Sequence, residues 1–308
     1  MSRYLVTGAA GFVGSHLCEA LEAQGDEAVG VDCFTDYYAA ALKEQNAAGR
    51  AIVRADLAEA TLEPLLDGVD GVFHLAGQPG VRSFGDVFPI YLRHNLLASQ
   101  RLFEAAGRAG VRVVFASSSS IYGEAEGYPT REDATPRPIS PYGITKLGCE
   151  HLARACELAF GLDAVILRYF TVYGPRQRPD MAFTRVLTAL SEGSRFELFG
   201  DGSASRGFTY VGDAVAATIA AMERGAQGVV YNVGGGAEAT MREAIAACEH
   251  ISGRTLDLQL RASAKGDVSR TAADTTRICE ALGWQARIGL EAGLEAQWSW
   301  VSAKVGRR

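Results

Sequence analysis

Three glycines at a spacing of three residues, Gly8, Gly11 and Gly14, stand between a β-rich run and a helical stretch near the start of the chain. The run 3–7 is predicted to be a buried strand, and residues 12–24 carry helical periodicity. In this context the first glycine permits a tight turn, the second lets the backbone approach a ligand, and the third lets helix and strand pack closely. The pattern predicts a strand–turn–helix unit whose helix N-terminus receives an anion.

Short β-rich runs alternate with helical stretches through the first half of the chain. The predicted strands are residues 3–7, 28–32, 51–53, 71–75, 111–117 and 164–168, and the predicted helices are 12–24, 91–109 and 142–160. This alternation implies a parallel sheet with helices on both faces and right-handed crossovers. We therefore predict an α/β fold, a Rossmann-type doubly wound parallel sheet with a smaller, discontinuous α/β substrate domain.

The second half of the chain is less regular. Pro175 and Pro179 lie in a loop rich in glycine and arginine, and a further β-rich run at 229–233 is compatible with a return to the sheet. The predicted dinucleotide-binding domain therefore covers residues 1–168, with 205–235 returning to it. Residues 169–204 and 236–308 form the predicted substrate domain, and we expect the two parts to pack around one cleft.

The composition is that of an ordinary globular protein, with 48% hydrophobic and 21% charged residues among 308. A net charge of −6 argues against a nucleic-acid partner or an acidic membrane surface. No apolar run approaches the ~18 residues that a membrane-spanning helix needs. Because the first predicted strand begins so close to Met1, we do not expect a signal peptide. The six cysteines show no metal-ligand spacing, so we predict no metal and reduced thiols in the cytoplasm.

The ends of the first strands predict a nicotinamide dinucleotide at the glycine turn. Phe12 and Val13 open the helix that would face its phosphates. Asp32 ends the second strand, where a carboxylate binds ribose hydroxyls and repels a 2′-phosphate, so NAD is favoured over NADP; the alternative is an aspartate in a surface turn. Five residues after the third and fourth strands are further candidate contacts to the cofactor: Asp56, Leu57, Leu75, Ala76 and Gly77. Either segment can instead be an ordinary strand-end turn.

A tyrosine and a lysine four residues apart, Tyr142 and Lys146, face the same side of the predicted helix 142–160. A nearby ammonium favours the charged form of a phenol, which makes tyrosine useful for proton transfer at neutral pH. Tyr-x-x-x-Lys alone is common on helices. Downstream of a dinucleotide turn, it predicts acid–base chemistry coupled to a redox cofactor.

Several strings resemble the extended short-chain dehydrogenase/reductase superfamily, and within it the NAD-dependent epimerase/dehydratase family, over essentially the whole chain. They are DYY at 36–38, HLAGQPGVR at 74–82, SSSSIYG at 117–123, LRYFTVYGP at 167–175, RPDMA at 178–182, RGFTYV at 206–211 and GDV at 266–268. Gly77, Gly207 and Gly212 depart from the alanine or acidic residues usual at their positions. No proton transfer is assigned to any of the three.

The resemblance implies that Ser118 completes a triad with the tyrosine and the lysine and holds a sugar hydroxyl beside the tyrosine. A plain strand-end loop of small polar residues is the alternative. Tyr169 is implied as a further cofactor contact. Where this chain has Ser119 and Ser120, related nucleotide-sugar dehydratases carry Asp-Glu, and UDP-xylose synthases carry a glutamate at the second position. Elimination needs such an extra acid and base, so we expect oxidation and re-reduction without loss of water.

The implied activity is that of a UDP-glucuronate 4-epimerase, which interconverts UDP-glucuronate and UDP-galacturonate through a 4-keto intermediate by transient hydride transfer to bound NAD. Arg178 would bind the uronate carboxylate through two hydrogen bonds, with Thr171 beside it in place of the asparagine of hexose epimerases. Arg185 is a second candidate for the carboxylate; either arginine can instead bind the diphosphate or lie at the surface. Four further residues are implied nucleotide contacts: Arg82, Arg206, Asp267 and Arg270.

Three other functions stay open at the level of sequence. They are a 4-epimerase of neutral UDP-glucose or UDP-N-acetylglucosamine, a UDP-glucuronate decarboxylase, and a non-catalytic NAD-sensing protein on the same fold. The complete Ser-Tyr-Lys set argues against the sensor, which has no need of all three groups. The resemblance also implies a homodimer formed through the helix at 91–109 and the helix that holds Tyr142.

Overall fold

The computed structural model describes residues 1–80, 85–262 and 268–305. Its strands are β1 (Arg3–Thr7), β2 (Glu27–Asp32), β3 (Ile52–Arg54), β4 (Gly71–His74), β5 (Arg112–Ser118), β6 (Ala164–Tyr169), β7 (Thr171–Tyr173), β8 (Arg195–Phe199), β9 (Ser205–Tyr210), β10 (Val230–Val233), β11 (Ala237–Thr240), β12 (Asp257–Arg261) and β13 (Arg270–Thr271). Its α-helices are α1 (Phe12–Ala23), α2 (Ala40–Ala47), α3 (Glu63–Leu66), α4 (Phe88–Tyr91), α5 (Ala98–Ala109), α6 (Pro141–Phe160), α7 (Ala182–Glu192), α8 (Val211–Arg224), α9 (Met241–Ser252), α10 (Thr276–Leu282) and α11 (Leu290–Val305).

The larger sheet is parallel throughout its described strands and has the order β10-β6-β5-β4-β1-β2-β3. The chain runs outward from β1 to β3 on one side and then returns to build β4, β5 and β6 on the other. In such a sheet the ligand crevice lies outside the carboxyl ends of the strands where the order reverses, which here is between β1 and β4. The doubly wound α/β fold predicted from the sequence is confirmed.

Both faces of this sheet are buried, as expected when helices cover a parallel sheet on each side. Leu5 and Val6 are adjacent on β1 and belong to opposite cores. Val6 packs in the core that includes Leu17 of α1 and the alanines of α8, whereas Leu5 packs with Leu102 of α5 and Cys149 of α6. The helix that carries the predicted acid–base pair is therefore fixed to the sheet by a continuous hydrophobic core.

A smaller assembly of strands and helices follows β6. Strand β9 pairs with β7, β11 and β13, while β8 and β12 pair with each other. Helices α7, α9 and α11 enclose a separate core around Phe183, Phe208 and Leu294. Of the segment 205–235, β10 joins the larger sheet beside β6, whereas β9 belongs to the smaller sheet. The exact division into two domains stays a prediction.

The glycine turn is closed by contacts that leave no room for side chains. Gly8 has a φ of +70° and donates its N–H to the Val31 carbonyl at 2.8 Å. A Cβ on Gly14 would lie 2.1 Å from the Gly8 carbonyl oxygen, and a Cβ on Gly8 would lie 2.9 Å from the backbone nitrogen of Ala76. The ends of β1 and β4 and the start of α1 therefore meet through bare backbone.

Replacing Gly14 by alanine should destabilise the protein by about 1–3 kcal/mol, because the added methyl group forces the turn and α1 apart. It should also abolish dinucleotide binding. Urea unfolding and the amount of NAD that copurifies would measure the two effects. Gly127→Ala is the matched control, since a Cβ there meets no described atom within 4 Å. Equal stability of the two variants would contradict the close approach.

Candidate active site

The start of α6 is fixed against the serine turn that follows β5. Ser140 caps the helix by accepting a hydrogen bond from the Gly143 N–H at 3.1 Å, and Pro141 occupies the first turn, where a missing N–H is tolerated. A Cβ on Gly143 would lie 2.5 Å from the carbonyl oxygen of Ser120. This close approach brings the helix turn that holds Tyr142 against the serine run.

Ser118 ends β5 with its hydroxyl held in a short network. Its Oγ accepts a hydrogen bond from the Ser120 N–H at 3.1 Å and donates one to the Ser120 Oγ at 3.1 Å. Ser119 and Ser120 lie in the 3₁₀ turn Ser119–Ile121. The predicted triad residues Ser118 and Tyr142 are thus placed on two segments that pack directly on each other.

Lys146 is 3% exposed, and its ammonium is held beneath the tyrosine. Its Nζ donates a hydrogen bond to the Ala116 carbonyl at 2.8 Å and lies 5.9 Å from the centre of the Tyr142 ring. A Cβ on Gly77 would lie 3.3 Å from the same Nζ. The lysine therefore stands between the predicted base and the segment after β4 that was predicted to pass under the cofactor.

Asn95 is a site residue that the sequence analysis missed. Its side-chain Oδ1 accepts a hydrogen bond from the Gln78 N–H at 2.7 Å, and its Nδ2 donates to the Gln78 carbonyl at 3.2 Å and to the Thr145 Oγ1 at 3.0 Å. It therefore joins the segment after β4 to the catalytic face of α6. The predicted helix 91–109 is broken here by a π-helix, Leu92–Leu97, a geometry frequent at functional sites. The one available sequence signal was a poor helix former, asparagine, inside an apolar helical pattern.

The glycine turn and Asp32 fit a dinucleotide. The carboxylate of Asp32 accepts hydrogen bonds from the Ala10 N–H at 3.1 Å and the Phe34 N–H at 2.8 Å, which orients it at the end of β2. Among the described residues no side chain caps α1, so the first N–H groups of this helix, including those of Phe12 and Val13, are left for an anion. The missing Cβ atoms of the turn give a phosphate access to that backbone.

Asp56 has an internal role beyond its predicted contact to the adenine. Its carboxylate accepts hydrogen bonds from the Ala58 N–H at 2.9 Å and from the Arg93 guanidinium at 2.7 and 2.9 Å. Although burial acts to raise it, these hydrogen bonds hold the pKa of Asp56 below its ordinary value. Leu57 beside it is buried, and its carbonyl accepts a hydrogen bond from Arg101 at 3.4 Å.

The remaining predicted cofactor residues lie along the crevice. Ala76 follows Leu75 and donates its N–H to the Thr7 Oγ1 at 3.1 Å, which ties the end of β4 to the end of β1. The hydroxyl of Tyr169 at the end of β6 shares a 2.6 Å hydrogen bond with the Thr218 Oγ1 of α8. Burial raises the pKa of Tyr169 to about 12, so this phenol stays neutral and does not compete with Tyr142 as a base.

Arg178 is paired with a carboxylate of its own loop. Its Nε and Nη2 each donate a hydrogen bond to Asp180 at 3.0 Å, and the hydroxyl of Tyr37 donates to the same carboxylate at 3.3 Å. Although burial acts in the opposite direction, Asp180, followed by Tyr37 and Tyr142, raises the pKa of Arg178. The guanidinium therefore lies within electrostatic range of Tyr142.

The other predicted substrate residues that the structure describes lie on β7 and in the smaller assembly. Arg185 places its guanidinium 5.0 Å from the centre of the Phe196 ring in the smaller assembly. Arg206 donates to the Val268 carbonyl at 2.7 Å, and Arg270 pairs with Glu238 at 2.6 and 2.9 Å. Thr171 begins β7 directly after the end of β6. Arg82 and Asp267 lie outside the described residues. Arg178 is thus within electrostatic range of Tyr142, whereas the described ring contact of Arg185 is with Phe196.

Two further features bear on the class of protein. Within the described ranges, no group of three or more His, Cys, Asp or Glu side chains is arranged to hold a metal ion. None of the helices in that part of the chain is long and apolar enough to cross a membrane.

The sequence and the fold both match proteins of known family. Residues 4–234 match the NAD dependent epimerase/dehydratase family. The chain belongs to this family. It is 40% identical over 98% of its length to the uncharacterized UDP-glucose epimerase YtcB of Bacillus subtilis, and 33% identical over 99% to a UDP-glucuronate 4-epimerase of Thermodesulfobacterium geofontis, covering 98% of each.

Among solved structures, the chain resembles UDP-glucuronic acid 4-epimerase from Bacillus cereus in complex with UDP-glucuronic acid and NAD. The TM-score is 0.94 at 40% identity, covering 98% of this chain and 99% of the other. The family predicted from the sequence is confirmed, and so is NAD as its cofactor.

His74 at the end of β4 is fully buried between Thr7 of β1 and Ser99 of α5. Its Nδ1 shares a 2.8 Å hydrogen bond with the Thr7 Oγ1, and its Nε2 shares one of 2.9 Å with the Ser99 Oγ. Burial, and to a lesser degree the charge of Lys146, lowers the pKa of His74 from 6.5 to about 3. The folded protein therefore keeps this ring neutral at pH values where the unfolded chain takes up a proton.

This difference predicts a pH dependence of folding. Because the folded pKa lies below the unfolded one, the contribution of His74 is fully present above pH 6.5 and is lost as pH falls from 6.5 towards 3. Each pH unit in that window should cost up to about 1.4 kcal/mol in the free energy of unfolding. Urea unfolding between pH 6.5 and 4.5 would measure the slope, which His74→Asn should reduce and the exposed-site control His151→Asn should not. An unchanged slope in His74→Asn would contradict the assignment.

Proposed function

We propose that this chain is a UDP-glucuronate 4-epimerase that works with tightly held NAD. The observation that carries the proposal is Arg178, a partly buried guanidinium that binds Asp180 through Nε and Nη2 and lies within electrostatic range of Tyr142. A neutral hexose offers no group that requires such a charge, whereas a uronate carboxylate matches its fork of N–H donors. The likeness to the B. cereus enzyme, which binds UDP-glucuronic acid and NAD, supports the same substrate.

The residues around the switch point would hold the cofactor. The N–H groups at the start of α1 would take the diphosphate above Gly8, Gly11 and Gly14, and Asp32 would take the adenine ribose. Asp56 and Leu57 would lie by the adenine. Leu75, Ala76, Gly77 and Tyr169 would line the path to the nicotinamide, with Lys146 on its ribose. NAD supplies the acceptor for the C4 hydride and its return.

Tyr142 would then act as the acid–base group of the reaction. As a phenolate it takes the proton of the C4 hydroxyl while Ser118 holds that hydroxyl in place. Lys146, itself fixed by the Ala116 carbonyl, favours the phenolate through its charge. After the 4-keto sugar has turned its opposite face, Tyr142 returns the proton and the configuration at C4 is inverted. Ser119 and Ser120 add hydroxyls for the sugar and supply no acid or base for elimination.

The uronate carboxylate needs firm placement during this reaction. The 4-keto intermediate is a β-keto acid: if the bond between C5 and the carboxylate aligns with the carbonyl π-system, it breaks, carbon dioxide leaves, and C5 takes up a proton. Asp180 uses the Nε–H and one Nη2–H of Arg178. The N–H groups of Nη1 and the second one of Nη2 are therefore the donors that would hold the carboxylate out of alignment, with the Thr171 hydroxyl beside them.

The nucleotide half of the substrate would bind along the smaller sheet. We assign Arg206 and Arg270, with Arg82 and Asp267, to the diphosphate and ribose. In the described structure Arg270 is paired with Glu238, so phosphate binding would compete with that ion pair.

We further infer a homodimer in the cytoplasm. Leu92, Leu97 and Ile144 are each 40–48% exposed on the helices at 91–109 and α6. Apolar side chains on neighbouring helices are what a helix–helix interface buries. All six cysteines are unpaired, which is typical of a reducing compartment.

The catalytic assignment is tested by Tyr142→Phe. This variant should fold and bind NAD, because the ring and the cap of α6 are unchanged, but its turnover of UDP-glucuronate should fall by about 10²–10⁴-fold. Epimerisation followed by chromatography of UDP-galacturonate would give the rate. Near-normal turnover would rule out Tyr142 as the acid–base group.

The substrate assignment is tested by Arg178→Ala. Because this variant loses charge-assisted hydrogen bonds, each worth about 1.5–3 kcal/mol, its kcat/KM for UDP-glucuronate should fall by about 10–100-fold or more. It should also release carbon dioxide, because the carboxylate of the 4-keto intermediate is no longer held in place. Turnover of UDP-glucose, the sugar in the name of YtcB, should fall much less. Arg185→Ala is the matched control, since its guanidinium stacks on Phe196. Equal losses on both sugars in Arg178→Ala would favour a neutral-sugar epimerase instead.

A further inference from the structure

We infer that Arg176 is a positioning residue that fixes the loop of Arg178 to the cofactor-binding helix α1 and thereby sets selectivity for the uronate. The inference rests on the proposed function, because it assigns Arg178 to the substrate carboxylate. We call the contacts of Arg176 with His16 and Glu19 the Arg176 clamp.

The Arg176 clamp joins two parts of the molecule that are 157 residues apart in sequence. The Nη1 and Nη2 atoms of Arg176 donate hydrogen bonds to the two carboxylate oxygens of Glu19 at 2.7 and 2.5 Å, which makes a bidentate pair. Its Nη2 also donates to the Nδ1 of His16 at 2.7 Å, and the Nε2 of His16 donates to the Pro175 carbonyl at 2.8 Å. Both the backbone and the side chain of the loop are thus bound to one face of α1.

Neutral histidine is the form that satisfies these two contacts. The Arg176 Nε also lies 3.3 Å from the His16 Nε2, which is no hydrogen bond in this form because both nitrogens carry a proton. With its proton on Nε2, the ring donates to the Pro175 carbonyl and offers the Nδ1 lone pair to Arg176. Burial, followed by the charge of Arg176, lowers the pKa of His16 from 6.5 to about 4. The arrangement therefore holds at neutral pH.

The backbone of Arg176 has a conformation that is unfavourable for a residue with a side chain. Its φ is +65°, in the left-handed region that residues with a Cβ rarely adopt. Such a conformation persists where surrounding contacts over-determine it, and it clusters at functional sites. Glycine would adopt it without strain. An arginine here is explained by the bonds that its side chain makes to α1.

The loop is also anchored on its other side. Gln177, which is 3% exposed, donates to the Val172 carbonyl at 3.2 Å and accepts hydrogen bonds from the Thr184 N–H at 3.1 Å and from Gln297 at 3.0 Å. Arg178 follows directly. Its guanidinium is therefore presented from a loop held to α1 through Arg176 and to α7 and α11 through Gln177. Since α1 also begins at the glycine turn, one helix positions both the cofactor phosphates and the loop that binds the carboxylate.

Arg176→Gly is the sharpest test, because glycine keeps the backbone conformation and removes the Arg176 clamp. The variant should fold and bind NAD as the parent does. Its KM for UDP-glucuronate should rise and its kcat/KM should fall by roughly 10–100-fold, since a misplacement of about 1 Å remote from the chemistry can cost 10²-fold. Carbon dioxide released per UDP-galacturonate formed should increase, and turnover of UDP-glucose, where measurable, should change little. Glu19→Ala, at a half-exposed position, should shift the same quantities in the same direction.

Glu22→Ala is the matched control. Glu22 lies on α1 like Glu19, and its two carboxylate oxygens accept hydrogen bonds from Arg50 at 2.7 Å. None of its described partners lies in the loop of residues 174–181, so this variant should leave KM and the release of carbon dioxide unchanged. Parental KM and carbon dioxide release in both Arg176→Gly and Glu19→Ala would overturn the inference. If Arg178→Ala loses uronate selectivity in the same experiment, the proposed function still stands. If Arg178→Ala also leaves selectivity unchanged, the substrate assignment itself fails.

Discussion

The close packing of bare backbone where β1 and β4 end is the constraint on which the rest of the site depends. Gly8 approaches Ala76, and Gly14 approaches the Gly8 carbonyl, at distances that exclude any side chain. Because the order of the sheet reverses at this point, the two strand ends open a crevice above their carboxyl ends. The uncapped start of α1 and the segment carrying Gly77 therefore lie at the same crevice.

Buried polar groups fix the catalytic helix to this crevice. Lys146 bonds the Ala116 carbonyl, Asn95 joins Gln78 to Thr145, and Glu150 one turn further along α6 pairs with Arg168 at 2.7 Å. A buried charge or amide without partners costs several kcal/mol, so each of these bonds strongly penalises displacement of α6. The position of Tyr142 on α6 is thus fixed by directional hydrogen bonds and an ion pair, which restrict the helix more closely than hydrophobic packing alone.

The substrate end of the site is held differently. Arg178 shares its charge with Asp180, and its loop is tied to α1 and to the smaller assembly by Arg176 and Gln177. A guanidinium that is already paired with one carboxylate can bind a second carboxylate through its remaining N–H groups. The first carboxylate then keeps the guanidinium in its orientation. In the proposed function, placement of the uronate and placement of the cofactor would be linked through one helix, α1.

Local pattern was enough to predict the strands of the larger sheet and the glycine turn, and to place Asp32 at a strand end and Tyr142 and Lys146 on one helix, because turn chemistry, periodicity and side-chain spacing are properties of neighbouring residues. The break in the helix at Asn95 was not predictable, since the π-helix is stabilised by Gln78 and Thr145, which are distant in sequence. Likewise, the sequence offered Arg178 as the first and Arg185 as the second candidate for the carboxylate. Only the tertiary structure shows how their surroundings differ: Arg178 pairs with Asp180 within electrostatic range of Tyr142, whereas Arg185 lies over the ring of Phe196.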